Sequence, residues 1–539
     1  MKNKGFTLVE LLAVIVILAI ILAIAIPAIT GLIDSSKRAA FESDAKFLIK
    51  AIDYKKLEDP SFDETTITES NIESILNIPA DNIKTLSVSN VEGVRKVSIE
   101  GQGEWDGLYA YGSYMELQTF TSEEDWTAAT SVGGGGAPVT ENAPVLATGM
   151  TPIKWVNNVE EPIEEDDPTW YDYENKLWAN AKTADGSYWV WIPRYAYSIT
   201  SNYHKGLYAA ETIGTIEVKF LNGTTNNALD NSGEVATTPT YEGSVQTNFV
   251  LHPAFNFGGT QVTGIWVAKF EASSNSGKVK IVPNVEAWRN INIATMYNNS
   301  RSMEADNTYG WGTTGTGIDT HMMKNTEWGA VAYLSKSSYG KETEEIYINP
   351  SNFLITGRGG ETKSQASTWD NSGSPESTIY GYDGRQCSSK TGQVCTGPSN
   401  QIFGMASSTT GNITGIYDIS GGVKEYVMGN LNRTTSSSSL TLDLVTVPDK
   451  YINVYTSVSN DNGYRSEYFG DAFYETSELK SWYKDYLGKL STTYAWFSRG
   501  GDYANTVDAG AFYVSPKMGE ANTTTGFRPV LIVGNNIDS

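Results

Sequence analysis

Lys2-Asn3-Lys4-Gly5-Phe6-Thr7-Leu8-Val9-Glu10-Leu11-Leu12 opens this chain, and the reading of everything after it depends on these residues. Two lysines precede a Gly-Phe junction, and from Phe6 to Ile33 the only ionisable residue is Glu10. A helix rises about 1.5 Å per residue and roughly 20 apolar residues cross a hydrocarbon core, so this run is long enough to span a membrane. Lys2 and Lys4 favour a cytoplasmic amino terminus by the positive-inside tendency, which leaves the large remainder outside. A secretory signal would carry a shorter apolar segment with a small-residue cleavage site at its far end. Here Gly5 comes before the apolar run, so a cut there leaves the run on the mature protein. A carboxylate as deep as Glu10 is costly unless it meets a partner charge.

This pattern resembles the class III leader of type IV prepilins and of the related pseudopilins of type II secretion. The resemblance implies cleavage after Gly5 by a prepilin peptidase, methylation of the new amino terminus at Phe6, and a subunit-to-subunit pairing of Glu10 with a neighbouring amino terminus. Pro27 lies where pilins carry a helix-loosening proline; a mid-helix proline removes one backbone hydrogen bond and kinks the helix. The implied partners are other pilin subunits through the amino-terminal helix, the peptidase, and the membrane before assembly. The implied location is the cytoplasmic membrane, single-pass with the carboxy terminus outside, and then an extracellular filament at the cell surface.

At 539 residues the chain is too long for one domain, and pilins are usually far shorter. The formal net charge is −23, and loss of Lys2 and Lys4 with the leader makes it more acidic still. Nucleic acid is excluded as a partner, because its phosphates would be repelled. Of the 2 cysteines, Cys387 and Cys395 are spaced to close a small loop by a disulfide in an extracellular domain, with free or metal-binding thiols as the alternative. With 3 histidines in the chain, a histidine-rich metal site is not expected.

The expected fold class is α+β: a long amino-terminal helix with a small antiparallel head, then a large domain rich in irregular loops. The expected divisions are a leader over 1–5, a membrane and stalk helix over 6–57, a β head over 58–122, a Gly/Pro linker over 123–150 and a distal domain over 151–539. Phe41, Ala45, Leu48 and Ile52 recur at helical spacing among charged residues, so the helix continues as an amphipathic stalk and stops before Pro60. Thr85–Ser89 and Arg95–Glu100 alternate around Asn90 and Gly93 as a hairpin, and Leu108–Tyr114 supplies a third strand. Gly133 to Gly136, with Pro138 and Pro144, reads as a joint. The acidic stretch Glu160–Asp167 reads as a solvated loop.

Six distal segments carry a second resemblance: Ser187–Tyr195, Gly264–Glu271, Met323–Ala330, Thr410–Val427, Ser498–Tyr503 and Gly526–Val530. Their order and spacing are similar to the formylglycine-generating-enzyme (sulfatase-modifying-factor) branch of the C-type lectin fold. In these segments Trp189, Trp191, Trp266 and Trp328 are read as core anchors, and Arg499 and Arg528 as forks for internal carboxylates or carbonyls. The family's enzymes bind copper through a cysteine pair after the Arg-Gly-Gly element. This chain has Asp502–Gly510 there, without cysteine, so no catalytic residue and no enzyme activity is expected. Where the family places a calcium-binding asparagine and a tryptophan, this chain has Gly422 and Lys424. Calcium is the one cofactor left open, through Asn412, Asp418 or Glu425.

Non-catalytic members of this fold display variable surfaces. Asp502–Thr525 has that position and composition, with Tyr503, Asn505, Asp508, Tyr513, Asn522 and Thr523 as expected ligand contacts; an ordinary variable loop is the plainer reading. The expected function is therefore a minor or tip pilin that displays a non-catalytic lectin-fold domain to a surface glycan or protein. The alternatives are a major structural pilin, a secretion pseudopilin with a decorative distal domain, or an enzyme delivered on a pilus, which the missing cysteines oppose.

Overall fold

The computed structural model describes residues 37–539, apart from 39, 57–58, 60–61, 92–93, 113–116, 124–125, 127–140, 204–212, 231, 313–316, 361–378, 388–394, 397–401, 436–441, 457–468, 477–480 and 535–539. Gly5, Phe6, Glu10, Pro27 and the glycine run at 133–136 thus lie outside the described residues. Among the described residues, no helix is long and apolar enough to cross a membrane. The chain divides into two compact units, Met1–Val139 and Thr140–Ser539.

In the first unit, helix α1 (residues 40–56) buries Phe41, Ala45, Leu48, Ile49 and Ile52. Steps of three and four residues set these side chains on one face. That face shares its core with Leu86, Val88, Val97, Ile99 and Ala110 of the sheet. Strands β1 (Ile83–Val91), β2 (Val94–Gly101), β3 (Tyr109–Gly112) and β4 (Gln118–Phe120) pair in sequence order as an antiparallel meander. Leu86 stands opposite Ile99 and Val88 opposite Val97. The two-residue period of a strand sends all four to the helix side. Arg95 on β2 reaches Asp53 of α1 and Glu64 of the following loop, tying sheet to helix. The fourth strand was not anticipated, because three residues are too few to display an alternation.

The second unit holds two larger sheets. One has seven antiparallel strands in the order Ile318–Met322, Pro529–Val533, Gly264–Ala268, Tyr188–Pro193, Asn180–Lys182, Thr151–Val156, Val159–Pro162. The central strand Tyr188–Pro193 is buried along its whole length, which explains its continuous apolar and aromatic reading. Trp189, Trp191, Trp266 and Trp328 are all fully buried, as core anchors should be. Replacing any one with alanine is expected to cost about 3–5 kcal/mol. The other sheet runs Asn453–Tyr455, Lys424–Leu431, Trp496–Gly500, Gly510–Lys517, with Thr525–Phe527 laid parallel to the start of Lys424–Leu431. Helix Asn325–Ser335 is buried at every position, and helix Ile293–Ser302 is buried on one side.

Two expectations need correcting here. The linker does not extend to 150: Asn142 Nδ2 donates to Gly223 O at 2.9 Å and Thr263 O at 3.0 Å, and Trp191 Nε1 donates to Asn142 O at 2.9 Å. Ala147 and Met150 are part of the distal core. The acidic stretch 160–167 is not wholly a solvated loop, because Val159–Pro162 is an edge strand. Two of its acids hold lysines, Glu160 with Lys182 at 2.8 Å and Asp167 with Lys154 at 3.0 Å.

Candidate functional site

The glycine-rich turn Gly421-Gly422-Val423 leads into the strand Lys424–Leu431, and two sets of candidate residues gather around it. Inward, Glu425 meets Arg528: Nε donates to Oε2 at 2.9 Å and Nη2 to Oε1 at 2.5 Å. Arg528 also donates to Ala268 O and Tyr417 O, and Arg499 donates to Ala472 O and Ala511 O, so both arginines fork internal acceptors. Two more buried acids stand nearby. Glu271 Oε1 accepts from Val423 N at 2.8 Å, and Asp418 accepts from Gly357 N at 2.9 Å and Asn349 Nδ2 at 2.8 Å. Burial pushes the Glu425 carboxyl up to about 7 against the pull of Arg528. Burial, and then the Asp418 and Glu425 charges, push Glu271 well above the usual carboxylate range. Taking a charge out of water disfavours its charged form, and a like charge nearby adds to the effect.

The residues through which calcium was left open, Asn412, Asp418 and Glu425, each have protein partners. Asn412 Oδ1 accepts from Thr414 N at 2.9 Å and its Nδ2 donates to Lys176 O at 2.8 Å. Glu425 is taken by Arg528, and Asp418 by backbone and amide donors. Among the described residues no group of three His, Cys, Asp or Glu side chains could hold a metal ion. Gly422 has φ +66°, and a Cβ there would stand 2.6 Å from Glu271 Oε1, so any side chain at this turn would displace that carboxylate.

Outward, Tyr503 N donates to Gly422 O at 3.1 Å and Lys424 N donates to Thr524 O at 2.9 Å. The turn Tyr503–Asp508 and the turn at 522–524 therefore both attach to the short segment 422–424. Tyr503, Asn505 and Asp508 are half-buried, while Asn522 and Thr523 are exposed. Asn505 accepts from Asp502 N at 2.9 Å, and Asn522 accepts from Thr524 N at 2.8 Å, so each amide also braces its own turn. Tyr513 is a correction: it is 2% exposed on strand Gly510–Lys517 and offers no surface to a ligand. Cys387 and Cys395 are joined by a disulfide, with Arg358 Nη1 2.8 Å from Cys387 Sγ.

Sequence reasoning missed two buried ionic clusters. His321 lies between two carboxylates, Nδ1 at 2.8 Å from Asp319 Oδ1 and Nε2 at 2.9 Å from Glu327 Oε1. Glu327 also closes a capping box on Lys324 N at 2.8 Å, the one local signal that could have flagged it. Glu475 receives the hydroxyls of Tyr197 at 2.9 Å, Tyr241 at 2.9 Å and Tyr333 at 2.8 Å, and Gly470 N at 2.6 Å. Neither cluster contains a nucleophile, and both read as internal braces.

Comparison with known proteins locates the clearest likeness at the amino-terminal end. Residues 1–26 match the prokaryotic N-terminal methylation motif. The chain is similar to the type II secretion system core protein G of Pseudomonas aeruginosa, 26% identical over 110 residues that cover 20% of this chain and 73% of that protein. It is also similar to the core protein G of Klebsiella michiganensis, 26% identical over 132 residues that cover 24% of this chain and 89% of that protein. The chain thus carries an N-terminal methylation motif, and a fifth to a quarter of it is similar to the core protein G of type II secretion.

Proposed function

We propose that this chain is a pilin-like filament subunit, cut after Gly5 and methylated at Phe6, that carries a non-catalytic C-type-lectin-like domain outward for adhesion. The observation that carries this reading is the methylation motif over residues 1–26 on a chain whose first unit packs an amphipathic helix on a four-stranded meander. Support for the lectin-like part comes from the glycine turn, the Arg499-Gly-Gly element and the terminal Phe527-Arg528 strand, which come together in one core with Glu425 and Arg528 at its centre. The distal unit is bulky beside the first, which favours a minor or tip position. The absence of cysteine from Asp502–Gly510 supports a binding role over oxidase chemistry. A second reading, a secretion pseudopilin, is favoured by the names of the similar proteins.

The test is the Glu10→Ala variant expressed in filament-forming cells. Its amino terminus, read by mass spectrometry, should still be cut and methylated, while its recovery in sheared filaments should collapse. Normal filaments from this variant would overturn the assembly role.

A further inference from the structure

Arg194 is fully buried behind a cleft of about 770 Å³. The cleft is lined by parts of segments 224–227, 234–237, 251–261, 324–326 and 449–453, with Phe469. The guanidinium donates to uncharged oxygens: Nε to Thr225 O at 3.1 Å, Nη1 to Phe255 O at 3.2 Å and Gln261 Oε1 at 2.8 Å, Nη2 to Asn226 Oδ1 at 3.0 Å. Burial pulls Arg194 down to about 10, which leaves it charged at neutral pH, and no carboxylate pairs with it among the described residues. An arginine donates and cannot accept. It therefore turns the amide oxygens of Asn226 and Gln261 toward itself and leaves their NH₂ groups to the cleft. The two amide dipoles carry the buried positive charge to the cleft wall.

Other polar groups line the same wall. Helix Asn325–Ser335 begins here, with Lys324 as its cap and Thr326 in its first turn lining the cleft. Glu327 serves this helix end, accepting from Lys324 N at 2.8 Å and lying 3.3 Å from Lys324 Nζ. Thr326 N donates to Asn453 Oδ1 at 2.9 Å, so the NH₂ of Asn453 is left over as well. Lys450 lines the cleft beside two acids, Glu234 and Asp449, the second of which is paired with Arg433. The wall of the cleft is therefore rich in hydrogen-bond donors, in a chain of net charge −23.

We propose that this cleft binds an acidic glycan through its carboxylate or sulfate group. Its volume suits a small multi-ring ligand. Leu251, Pro253 and Phe469 in the lining offer apolar surface to sugar C–H faces, while the amide NH₂ groups and the Lys450 ammonium meet the oxyanion and neighbouring hydroxyls. The inference rests on the reading of the distal unit as a recognition domain, and it adds a ligand class and a site away from 502–525.

The test is a titration of the detergent-solubilised full chain with polygalacturonate, heparin, dextran and polyglutamate. Binding to polygalacturonate (carboxylate) or heparin (sulfate) that falls as salt is raised is the expected result. Asn226→Asp and Gln261→Glu keep the oxygen that Arg194 holds but replace the outward donor with an acceptor. Each should weaken binding about tenfold, the scale of one lost charge-assisted hydrogen bond. Lys450→Gln, half-buried at the cleft, keeps the test open should either acidic variant fail to fold. Absence of binding to both acidic glycans, equal binding of dextran, binding of polyglutamate alone, or undiminished binding by all three variants would each overturn the inference. Filament recovery in the same strain is read separately, so a failed titration with normal assembly removes this inference and leaves the subunit role standing.

Discussion

Arg528 and Glu425 form a two-pronged ion pair at the centre of the distal core, with both side chains fully buried and 103 residues apart in sequence. Fork-on-fork geometry satisfies both carboxylate oxygens, and the remaining guanidinium donors go to Ala268 O and Tyr417 O. The pair fixes strand Lys424–Leu431 against the terminal strands.

Removing one partner strands a buried charge. Arg528→Met should lower the unfolding free energy by about 3–5 kcal/mol, whereas Arg528→Met with Glu425→Leu should recover most of that loss. Urea unfolding followed by tryptophan fluorescence measures both. Equal destabilisation by the single and double variants would show that packing, not the ion pair, accounts for the loss.

His321 gives a pH signature. Burial alone would lower its pKa, but the Glu327 charge and the Asp319 hydrogen bond outweigh that, and the net shift is upward. The His321 and Lys324 charges outweigh burial at Glu327 and hold it down at about 2. A raised histidine stabilises fully below its unfolded value of about 6.5 and loses that contribution as pH rises through the higher folded value. A lowered glutamate stabilises above about 4.5 and loses that contribution as pH falls toward 2. The cluster should therefore stabilise most between about pH 4.5 and 6.5. His321→Gln should reduce stability in that window by about 3 kcal/mol and flatten the profile, as read by thermal melts across pH.

Glu475 acts with the opposite sign. Burial pushes its carboxyl up to about 7, against the Gly470 amide and the tyrosine hydroxyls that favour its charged form. The folded state then holds a proton that the unfolded state releases above about pH 4.5, so raising pH from there to about 7 costs stability. Glu475→Gln removes the charge and keeps one acceptor oxygen in place of two. It should remove a pH-dependent loss on the order of 3 kcal/mol at pH 8, and an unchanged slope would refute the assignment.

Gly422 is held by space as well as by its backbone. At φ +66° an added Cβ meets Glu271 Oε1 at 2.6 Å and Asn349 Nδ2 at 3.1 Å. Gly422→Ala should destabilise by about 2 kcal/mol or more, combining left-handed strain with displacement of two buried polar groups. Gly411, with φ +76° and open space around its Cβ position, is the control that isolates the backbone part.

Much of the first unit was legible from the sequence. Phe41, Ala45, Leu48 and Ile52 repeat at helix spacing, and the β1–β2 hairpin alternates, because both signals depend on residues that are neighbours in the chain. Tyr513 was misjudged because a tyrosine in a polar stretch has the same composition on a surface loop as on a strand packed from both sides. The role of Arg194 was unreadable for a different reason: the oxygens it holds lie 31, 61, 32 and 67 residues away. No spacing rule connects them.

The sequence by itself determined what is read along a line. The methylation motif over residues 1–26 is a contiguous signal, and the apolar run and amphipathic stripe follow from helix periodicity alone. Only the tertiary structure decided which of the chain's 62 acids are partners rather than solvated charges. It gave Glu425 to Arg528, Glu327 to His321 and Glu475 to three tyrosines, and it left Arg194 without a carboxylate behind a cleft lined with donors. The physical reason is that burial sets the strength of a charge's interactions, and burial in this chain is made by segments far apart in sequence that meet only in the folded core.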